Sequence, residues 1–399
     1  MKKLYALQNS IKNYEWGSHN MLSNVLGFEN PKNETQAELW MGVHERGMSM
    51  AQDGKGAVPL DQLIRRDPVA MLGEKAAKDF GNLPFLFKVL AAEKALSIQA
   101  HPNKSQAEEG FARENKQGIP IAAAHRNYRD SNHKPEVTCA LSEEFWAMCG
   151  FRPVAEIANE FKKLNNSFFN QILDAMQKHD DESAQLKEFF TGAMQLREGK
   201  MEHIIEDTVH YAQHQQGVRY EWIQKFYEMY GTDAGVLSPL YLNIFCLKKG
   251  QAVYLPAGEL HAYLHGMAVE LMANSDNVLR GGLTPKHVDV EELTHVLTFK
   301  SSKPNILEAQ GPDGAYKTPS SEFEMHRVEL GPDYMINGGN PAQIILCTQG
   351  RITLETIAGN PNDSQRIVIQ RGESVFMPYH AGGYMASGRG ELFFAQIPS

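Results

Sequence analysis

A long stretch with helical periodicity and no proline separates two parts of this chain that have the pattern of β-strands. No proline occurs between Pro153 and Pro239, and apolar residues in this stretch recur every three or four positions. The series includes Ile157, Phe161, Leu164, Phe168, Ile172, Met176, Ile204, Ile205, Val209, Trp222 and Phe226. We therefore predict an all-helical insert over residues 154–233.

Short apolar runs on both sides of this insert are interrupted by glycine, proline and asparagine, as in residues 84–90. After the insert, turn signals at Lys249-Gly250, His265-Gly266 and Gly281-Gly282 predict short strands. The pattern Gly, polar, small, Val, aromatic, apolar, Pro spans residues 250–256 and recurs at 372–378. A glycine turn followed by a short strand that ends near a proline is typical of small jelly-roll barrels, which include the cupins.

These patterns predict a mainly β protein with an α-helical insert. We expect two cupin-type jelly-roll β-domains plus one all-helical domain. Residues 1–153 and 234–310 are expected to form a metal-bearing cupin-type catalytic domain. Residues 154–233 are the helical insert, and residues 311–399 a C-terminal jelly-roll domain.

Polar residues alternate with apolar ones in three segments of the predicted first barrel. Alternate residues of a strand point to the same face, so each polar pair shares a direction. Burying such groups without partners costs several kcal/mol, and a metal ion is one reason to direct them inward. The pairs are Gln99 and His101, Lys134 and Glu136, and Glu259 and His261.

The side chains in these pairs suit a single metal ion. His101 and His261 offer nitrogen ligands and Gln99 an amide oxygen. The carboxylate comes from Glu136, with Glu259 as its rival. A lone histidine on a strand is more often structural, but the conjunction favours one Zn²⁺, although Mn²⁺, Fe²⁺ or Co²⁺ would also be accepted.

Composition limits the partners of the chain. The 399 residues carry a net charge of −9, which argues against nucleic acid or an anionic membrane surface. No apolar stretch reaches the roughly 18 residues of a membrane helix. The four cysteines lack CxxC spacing, which indicates reduced thiols and a cytoplasmic location.

Several motifs resemble the type I mannose-6-phosphate isomerase (phosphomannose isomerase) family over nearly the full length. They lie at residues 13–17, 37–42, 96–102, 132–136, 254–263 and 269–286. The resemblance implies a zinc enzyme that interconverts D-mannose 6-phosphate and D-fructose 6-phosphate by proton transfer through a cis-enediol. It also implies that part of the N-terminal stretch pairs with the C-terminal domain. Residues 43–46 depart from the family pattern, and we expect them to lie away from the ligand motifs.

The same resemblance implies roles for individual residues. Gln99, His101, Glu136 and His261 would bind one zinc ion, and Arg280 takes the position of the catalytic arginine. The guanidinium of Arg280 stays protonated, so it suits stabilisation of an enediolate better than proton abstraction.

The sequence leaves the base open. Lys134 and Glu270 are favoured, while His133, Asp276 and a zinc-bound water are alternatives. Substrate-binding residues are expected to be Ser97, Lys88, Lys286, Asp276 and Tyr263, and Asp276 is also suited to orienting Arg280. The expected partner is a small phosphorylated hexose, bound by a monomer.

Two other functions fit this pattern less well. An iron-dependent cupin oxygenase usually needs more histidine ligands and an open facial site, so the amide ligand and the flanking lysines count against it. A non-catalytic sugar-binding regulator would normally carry a basic DNA-binding module, and the sequence shows none.

Overall fold

The computed structural model describes residues 3–198, 202–331, 336–338, 341–357 and 364–398. Its α-helices are α1 Met21–Leu26, α2 Leu60–Arg66, α3 Pro68–Leu72, α4 Glu74–Asp79, α5 Lys104–Lys116, α6 Val154–Lys163, α7 Ser167–Met176, α8 Glu182–Met194, α9 Glu202–Gln213, α10 Val218–Tyr230 and α11 Val290–Val296. Among the described helices, none is both long and apolar enough to cross a membrane.

The strands are mostly short, but three of them reach 13 or 14 residues. They are β1 Tyr5–Gln8, β2 Ser10–Lys12, β3 Glu38–Gly42, β4 Met50–Gln52, β5 Ala57–Pro59, β6 Phe85–Ala92, β7 Ile98–Ala100, β8 Glu136–Ala140, β9 Glu144–Phe151, β10 Leu242–Lys248, β11 Ala252–Leu255, β12 His261–Ala273, β13 Leu279–Gly282, β14 Ile306–Leu307, β15 Ala315–Tyr316, β16 Glu324–Leu330, β17 Ile336–Gly338, β18 Gln343–Thr356, β19 Arg366–Gln370, β20 Ser374–Met377 and β21 Tyr384–Gln396.

The described strands form two antiparallel sheets, so the molecule is mixed, with helices beside mainly antiparallel β-structure. The first sheet runs β14-β11-β8-β12-β6-β3-β2, with β7, β9, β10 and β13 attached around β12. The second runs β15-β16-β21-β18-β20-β1-β4-β5, with β17 and β19 at its side. Strand β1 pairs with β20, so the beginning of the chain is hydrogen-bonded to its C-terminal part.

Helices α6 to α10 lie in the stretch with helical periodicity, so the helical prediction there is confirmed. Asn166 and Asp181 cap α7 and α8 by accepting hydrogen bonds from backbone N–H groups, which satisfies donors at each helix start. Phe161 and Phe189 stack edge-on at 4.9 Å and are fully buried. The apolar residues of these helices share one core with Ile98 of β7 and Phe151 of β9. This core attaches the helical stretch to the first sheet.

The two faces of the first sheet have different chemistry. One face is apolar and packs on the second sheet, where Val137 and Leu271 share a core with Phe393. The opposite face carries Lys88 and Glu136, both of them buried. Period-2 alternation along β6, β8 and β12 therefore directs charged groups into the protein on one side only.

Strand β12 is continuous through the position where the sequence predicts a turn. The predicted turn at His265-Gly266 is wrong: the register shifts between Tyr263 and His265, and Gly266 has a φ of +114° within the strand. A Cβ on Gly266 would lie 2.6 Å from the carbonyl oxygen of Glu144. The glycine thus forms a bulge, after which β12 pairs with β6 and β8 instead of β7 and β9.

Candidate metal centre

Three buried side chains from three different strands or strand ends meet in one place. The ligand-type atoms of His101, Glu136 and His261 all lie within 4.8 Å of one another. Nε2 of His101 is 3.2 Å from one Glu136 oxygen, and Nε2 of His261 is 3.4 Å from the other. Each residue is about 1% exposed, so solvent does not satisfy these atoms.

The hydrogen bonds of the two imidazoles direct their other nitrogens to a common point. Nδ1 of His101 donates to the Asn277 carbonyl at 2.7 Å, and Nδ1 of His261 donates to the Glu259 carbonyl at 2.9 Å. Both Nε2 atoms therefore carry a lone pair, and that of His261 is buried without a hydrogen-bond partner. This donor set, with its orphaned nitrogen, fits a zinc ion.

Electrostatics keeps His101 and Glu136 in the protonation states that a metal requires. Burial and the Lys134 ammonium lower the pKa of His101 to about 4, so its imidazole is neutral near pH 7. Burial would raise the pKa of Glu136, but Lys134 and His101 hold it well below its usual value. Nζ of Lys134 lies 2.7 Å from a Glu136 oxygen and 3.4 Å from Nε2 of His101.

Strand register places Gln99 and Arg280 beside this group. Gln99 on β7 pairs directly with His261 on β12, and on its other side with Arg280 on β13. Residues directly opposite in antiparallel strands share a face, so the three side chains form a row. The structure thus brings the predicted amide ligand and the predicted arginine to the same side as His261.

Glu259, the rival carboxylate, is directed elsewhere. Its side chain lies near Cys149 and lines a cavity with Thr298 and Lys300, whose lining includes none of the clustered residues. Burial raises the pKa of Glu259. Glu259 contacts the centre only through its backbone carbonyl, which accepts the hydrogen bond from His261.

A second row of polar side chains crosses the interior face of the first sheet. Trp40, Lys88, Glu270 and Thr138 occupy successive paired positions on β3, β6, β12 and β8. Lys88 Nζ is 3.1 Å from Glu270 and 5.2 Å from the centroid of the Trp40 ring. This row connects to the centre through Tyr263, whose hydroxyl bonds Thr138 at 2.6 Å and donates to Glu136 at 3.1 Å.

The two charged members of this row both have raised pKa values, against the effect of burial for Lys88 and in line with it for Glu270. Burial would lower the pKa of Lys88, but Glu38, Glu270 and Glu136 raise it overall, so the ammonium stays charged. Burial raises the pKa of Glu270, although Lys88 opposes the shift. Glu270 therefore titrates closer to neutral pH than an ordinary glutamate.

Cationic side chains gather near Arg280. Burial and the charge of Arg129 lower the pKa of Arg280. Burial, Arg280, Arg129 and Arg46 likewise lower the pKa of the exposed Lys286. Within the described residues, the side chains of Arg280, Arg129 and Lys286 make no hydrogen bond or ion pair, so their charge is available to an anion. Ser97, half-buried just before β7, also has no side-chain partner among the described residues.

Sequence reasoning missed Arg129, because it lies outside the quoted motifs and in a segment without regular secondary structure. The concentration of polar residues in residues 126–134 was the available signal.

Asp276 does not orient Arg280, which corrects one interpretation of the sequence. Its carboxylate lies 3.3 Å from Nε2 of His44 and contacts Arg46. Although burial would raise the pKa of Asp276, these partners lower it to about 2. Residues 44 and 46 thus contact the motif at 269–286, which contains none of the four predicted metal ligands.

The side chain of His133 contacts the C-terminal part of the chain. Its Nε2 lies 2.6 Å from a carboxylate oxygen of Glu322, whose other oxygen accepts from Ser320 at 2.9 Å. Glu322 also lies near Tyr254, on β11. His133 therefore has a structural partner, which weakens its candidacy as a base.

Comparison with known proteins agrees with this centre. The model of the phosphomannose isomerase type I catalytic domain matches residues 4–154. Mannose-6-phosphate isomerase from Escherichia coli (strain K12) is 39% identical over 98% of both chains, and the Homo sapiens enzyme is 32% identical over 94% of this chain and 93% of its own.

Solved structures are similar over almost the whole chain. A mutant phosphomannose isomerase from Salmonella typhimurium superposes with a TM-score of 0.92 at 36% identity, covering 99% of this chain and 100% of that one. A zinc-bound mannose 6-phosphate isomerase gives 0.91 at 36% identity, with 99% and 100% coverage. The chain belongs to the type I mannose-6-phosphate isomerase family.

Proposed function

We propose that this protein interconverts D-mannose 6-phosphate and D-fructose 6-phosphate with the help of one zinc ion. The observation that carries this proposal is the buried convergence of His101, Glu136 and His261 in a member of this family. Two imidazoles and one carboxylate also form the iron site of many oxygenases, so the family to which the chain belongs, and not the donor set alone, favours zinc here.

The zinc ligands are proposed to be Gln99, His101, Glu136 and His261. When bound, zinc supplies a Lewis acid that polarises the substrate's oxygens. The protein prepares the site by orienting both imidazoles through the Asn277 and Glu259 carbonyls and by keeping His101 neutral.

Glu270 is the proposed base, and it carries a proton between C1 and C2 of the sugar. Its raised pKa makes it a stronger base than an ordinary glutamate, which favours proton abstraction from the sugar. Lys88, 3.1 Å away, stays protonated and stabilises the ionised form of Glu270. Lys134 is the alternative base, because it lies in the same buried group as Glu136 and His101.

Arg280 is proposed to stabilise the negative charge that develops on the enediolate. Its place in the row with Gln99 and His261 directs it towards the centre, and it has no competing carboxylate among the described residues. Ser97 and Lys286 are proposed to hold the phosphate, as hydroxyl and ammonium donors. Tyr263 donates a hydrogen bond to Glu136 and forms a wall of the site. Asp276, in contrast, is held by His44 and Arg46.

The finer architecture is also a proposal. The two sheets correspond to two cupin-type jelly-roll domains: residues 1–153 with 234–310, and residues 311–399. Residues 154–233 form the helical insert. The pairing of β1 with β20 supports assigning part of the N-terminal stretch to the second barrel. The free thiols of all four cysteines support a reducing, cytoplasmic location, and a monomer is the proposed state.

Metal removal and restoration test the function. The purified protein is stripped with a chelator and assayed for fructose 6-phosphate formation from mannose 6-phosphate, then supplied with Zn²⁺. We expect activity to vanish and to return with about one equivalent of zinc per chain. Full isomerisation by the metal-free protein, or no isomerisation by the zinc-loaded protein, would overturn the proposal.

A further inference from the structure

Asn277 lies between the metal centre and the loop that leads to Glu136, and it is fully buried. Its backbone carbonyl accepts the hydrogen bond from Nδ1 of His101 at 2.7 Å. Its side-chain Oδ1 accepts from the backbone N–H groups of Arg129 at 2.7 Å and Asp130 at 3.2 Å. Its Nδ2 donates to the carbonyls of Asp130 at 2.9 Å and Asn132 at 2.8 Å.

These bonds use the donor and acceptor capacity of one amide side chain almost completely. They connect three segments that are remote in sequence. The first carries His101, the second runs from Arg129 into Glu136, and the third runs from Asn277 into Arg280. The middle segment, residues 117–135, contains no helix or strand, so side-chain bonds of this kind are what fix its backbone.

We propose that Asn277 is a positioning residue that sets the separation of His101 and Glu136 and thereby pre-organises the zinc site. The proposal rests on the zinc-dependent function proposed above. Partners of metal-bound histidines typically change metal affinity by 10- to 100-fold when they are removed. Asn277 differs from an ordinary partner because the same residue also holds the backbone that leads to the carboxylate ligand.

Asn277→Ala removes the side-chain bonds of this amide, which include a fifth from Nδ2 to the Asp130 carboxylate at 3.3 Å, and leaves the backbone carbonyl in place. We expect the carbonyl to lose its fixed orientation and the loop its anchor, which lowers zinc affinity by roughly 10- to 100-fold. Affinity is measured by competition with a chromogenic chelator, using zinc alone. In the same samples, we expect zinc to raise the melting temperature of the variant by less than that of the wild type.

Asn274→Ala is the matched control. Asn274 belongs to the same segment, and its Nδ2 donates to the Leu83 carbonyl at 2.9 Å instead of to the loop. Its loss should lower stability without changing zinc affinity. Equal zinc affinities for the Asn277 and Asn274 variants would overturn the positioning role and reduce Asn277 to a structural amide.

Asn277→Asp keeps the test decisive where the alanine variant does not fold. Asp retains an acceptor for the N–H groups of Arg129 and Asp130 but turns two donor contacts into repulsive ones. We expect zinc affinity between those of the wild type and a metal-ligand variant, and an unchanged affinity contradicts the proposal. Wild-type protein that binds no zinc would refute the proposed function itself, which separates the two failures.

Discussion

At the scale of single residues, the interior face of the first sheet holds more carboxylates than a structural core needs. Glu38, Glu136 and Glu270 all raise the pKa of Lys88, and each is less than 9% exposed. Burying charge is expensive even when it is paired, so such a group persists where chemistry uses it. The two contacting groups therefore differ in protonation: Lys88 keeps its proton, whereas the carboxyl group of Glu270 can exchange one.

Replacing Glu270 by glutamine tests this assignment. We predict that Glu270→Gln lowers kcat by about 10²- to 10⁴-fold, because the variant retains the shape of the side chain but cannot accept a proton. Steady-state isomerisation assays give the effect, and circular dichroism checks that the fold is retained. The control is Glu38→Gln, which removes a carboxylate 3.7 Å from Lys88 on β3 and should affect kcat far less.

The pH profile offers an independent readout of the same group. A base works in its ionised form, so activity falls as the pH drops through the pKa of Glu270. Because burial raises that pKa, we predict an acid limb of the kcat profile above the range of an ordinary glutamate. A limb that persists unchanged in Glu270→Gln would assign it to another group.

The amide ligand gives a third prediction at this scale. Gln99 lies opposite His261 in the sheet register, so Gln99→Ala should weaken zinc binding by roughly tenfold or more while leaving the strand intact. Zinc content after dialysis against a graded chelator series measures the loss. Metal content equal to that of the wild type would remove Gln99 from the ligand set.

Local alternation made the ligand-type residues predictable, since Gln99 on β7 and His101 just after that strand are two positions apart. The partners of Asp276 were not predictable in this way. His44 and Arg46 lie more than 200 residues earlier in the chain, and no local pattern records that contact.

At the scale of elements, β12 shows what periodicity detects and what it misses. Its apolar alternation predicts a strand, but a glycine beside a histidine also resembles a turn. The structure has a bulge at Gly266 and no chain reversal. Only the tertiary context distinguishes a reversal from a change of pairing partner, so the sequence pattern could not decide between them. The bulge allows one strand to contribute both His261 and Glu270 to the site.

Filling this bulge should be costly. Gly266→Ala imposes a side chain at a φ of +114° and places its Cβ 2.6 Å from the Glu144 carbonyl oxygen. We predict a loss of about 1–3 kcal/mol in the free energy of unfolding, measured by urea denaturation. Gly81→Ala is the control, since Gly81 has a φ of +67° with no atom within 4 Å of the added Cβ, and should cost less. Equal losses would mean that backbone strain alone accounts for the effect.

At the scale of the whole molecule, a part-buried hydrogen bond between His133 and Glu322 connects the metal-ligand segment to the C-terminal part of the chain. His133 precedes Glu136 by three residues, while Glu322 precedes β16 in the second sheet. Local pattern could not reveal this bond, because its partners are 189 residues apart. It makes the second sheet a support for the site, in addition to the apolar core that the two sheets share.

Glu322→Gln tests this support. Burial would raise the pKa of Glu322, but His133 and Ser320 lower it to about 2. A depressed carboxyl pKa contributes stability above the unfolded pKa, near 4.3, and that stability is lost as the pH falls towards the folded value. We predict that the variant is less stable than the wild type by about 1–3 kcal/mol at pH 7, and that the difference shrinks between pH 4.5 and pH 2.

Urea denaturation across this pH range measures the difference. Glu329→Gln serves as the control, because Glu329 forms an ion pair with Arg327 on β16 but its side chain is 69% exposed. Exposed pairs contribute less than about 1 kcal/mol, so this control should change little at any pH. If the Glu322 variant loses no more stability than the control, the bond to His133 does not contribute to holding the two sheets together, and Glu136 is positioned by its pairing with β11 and β12 and by the loop contacts of Asn277.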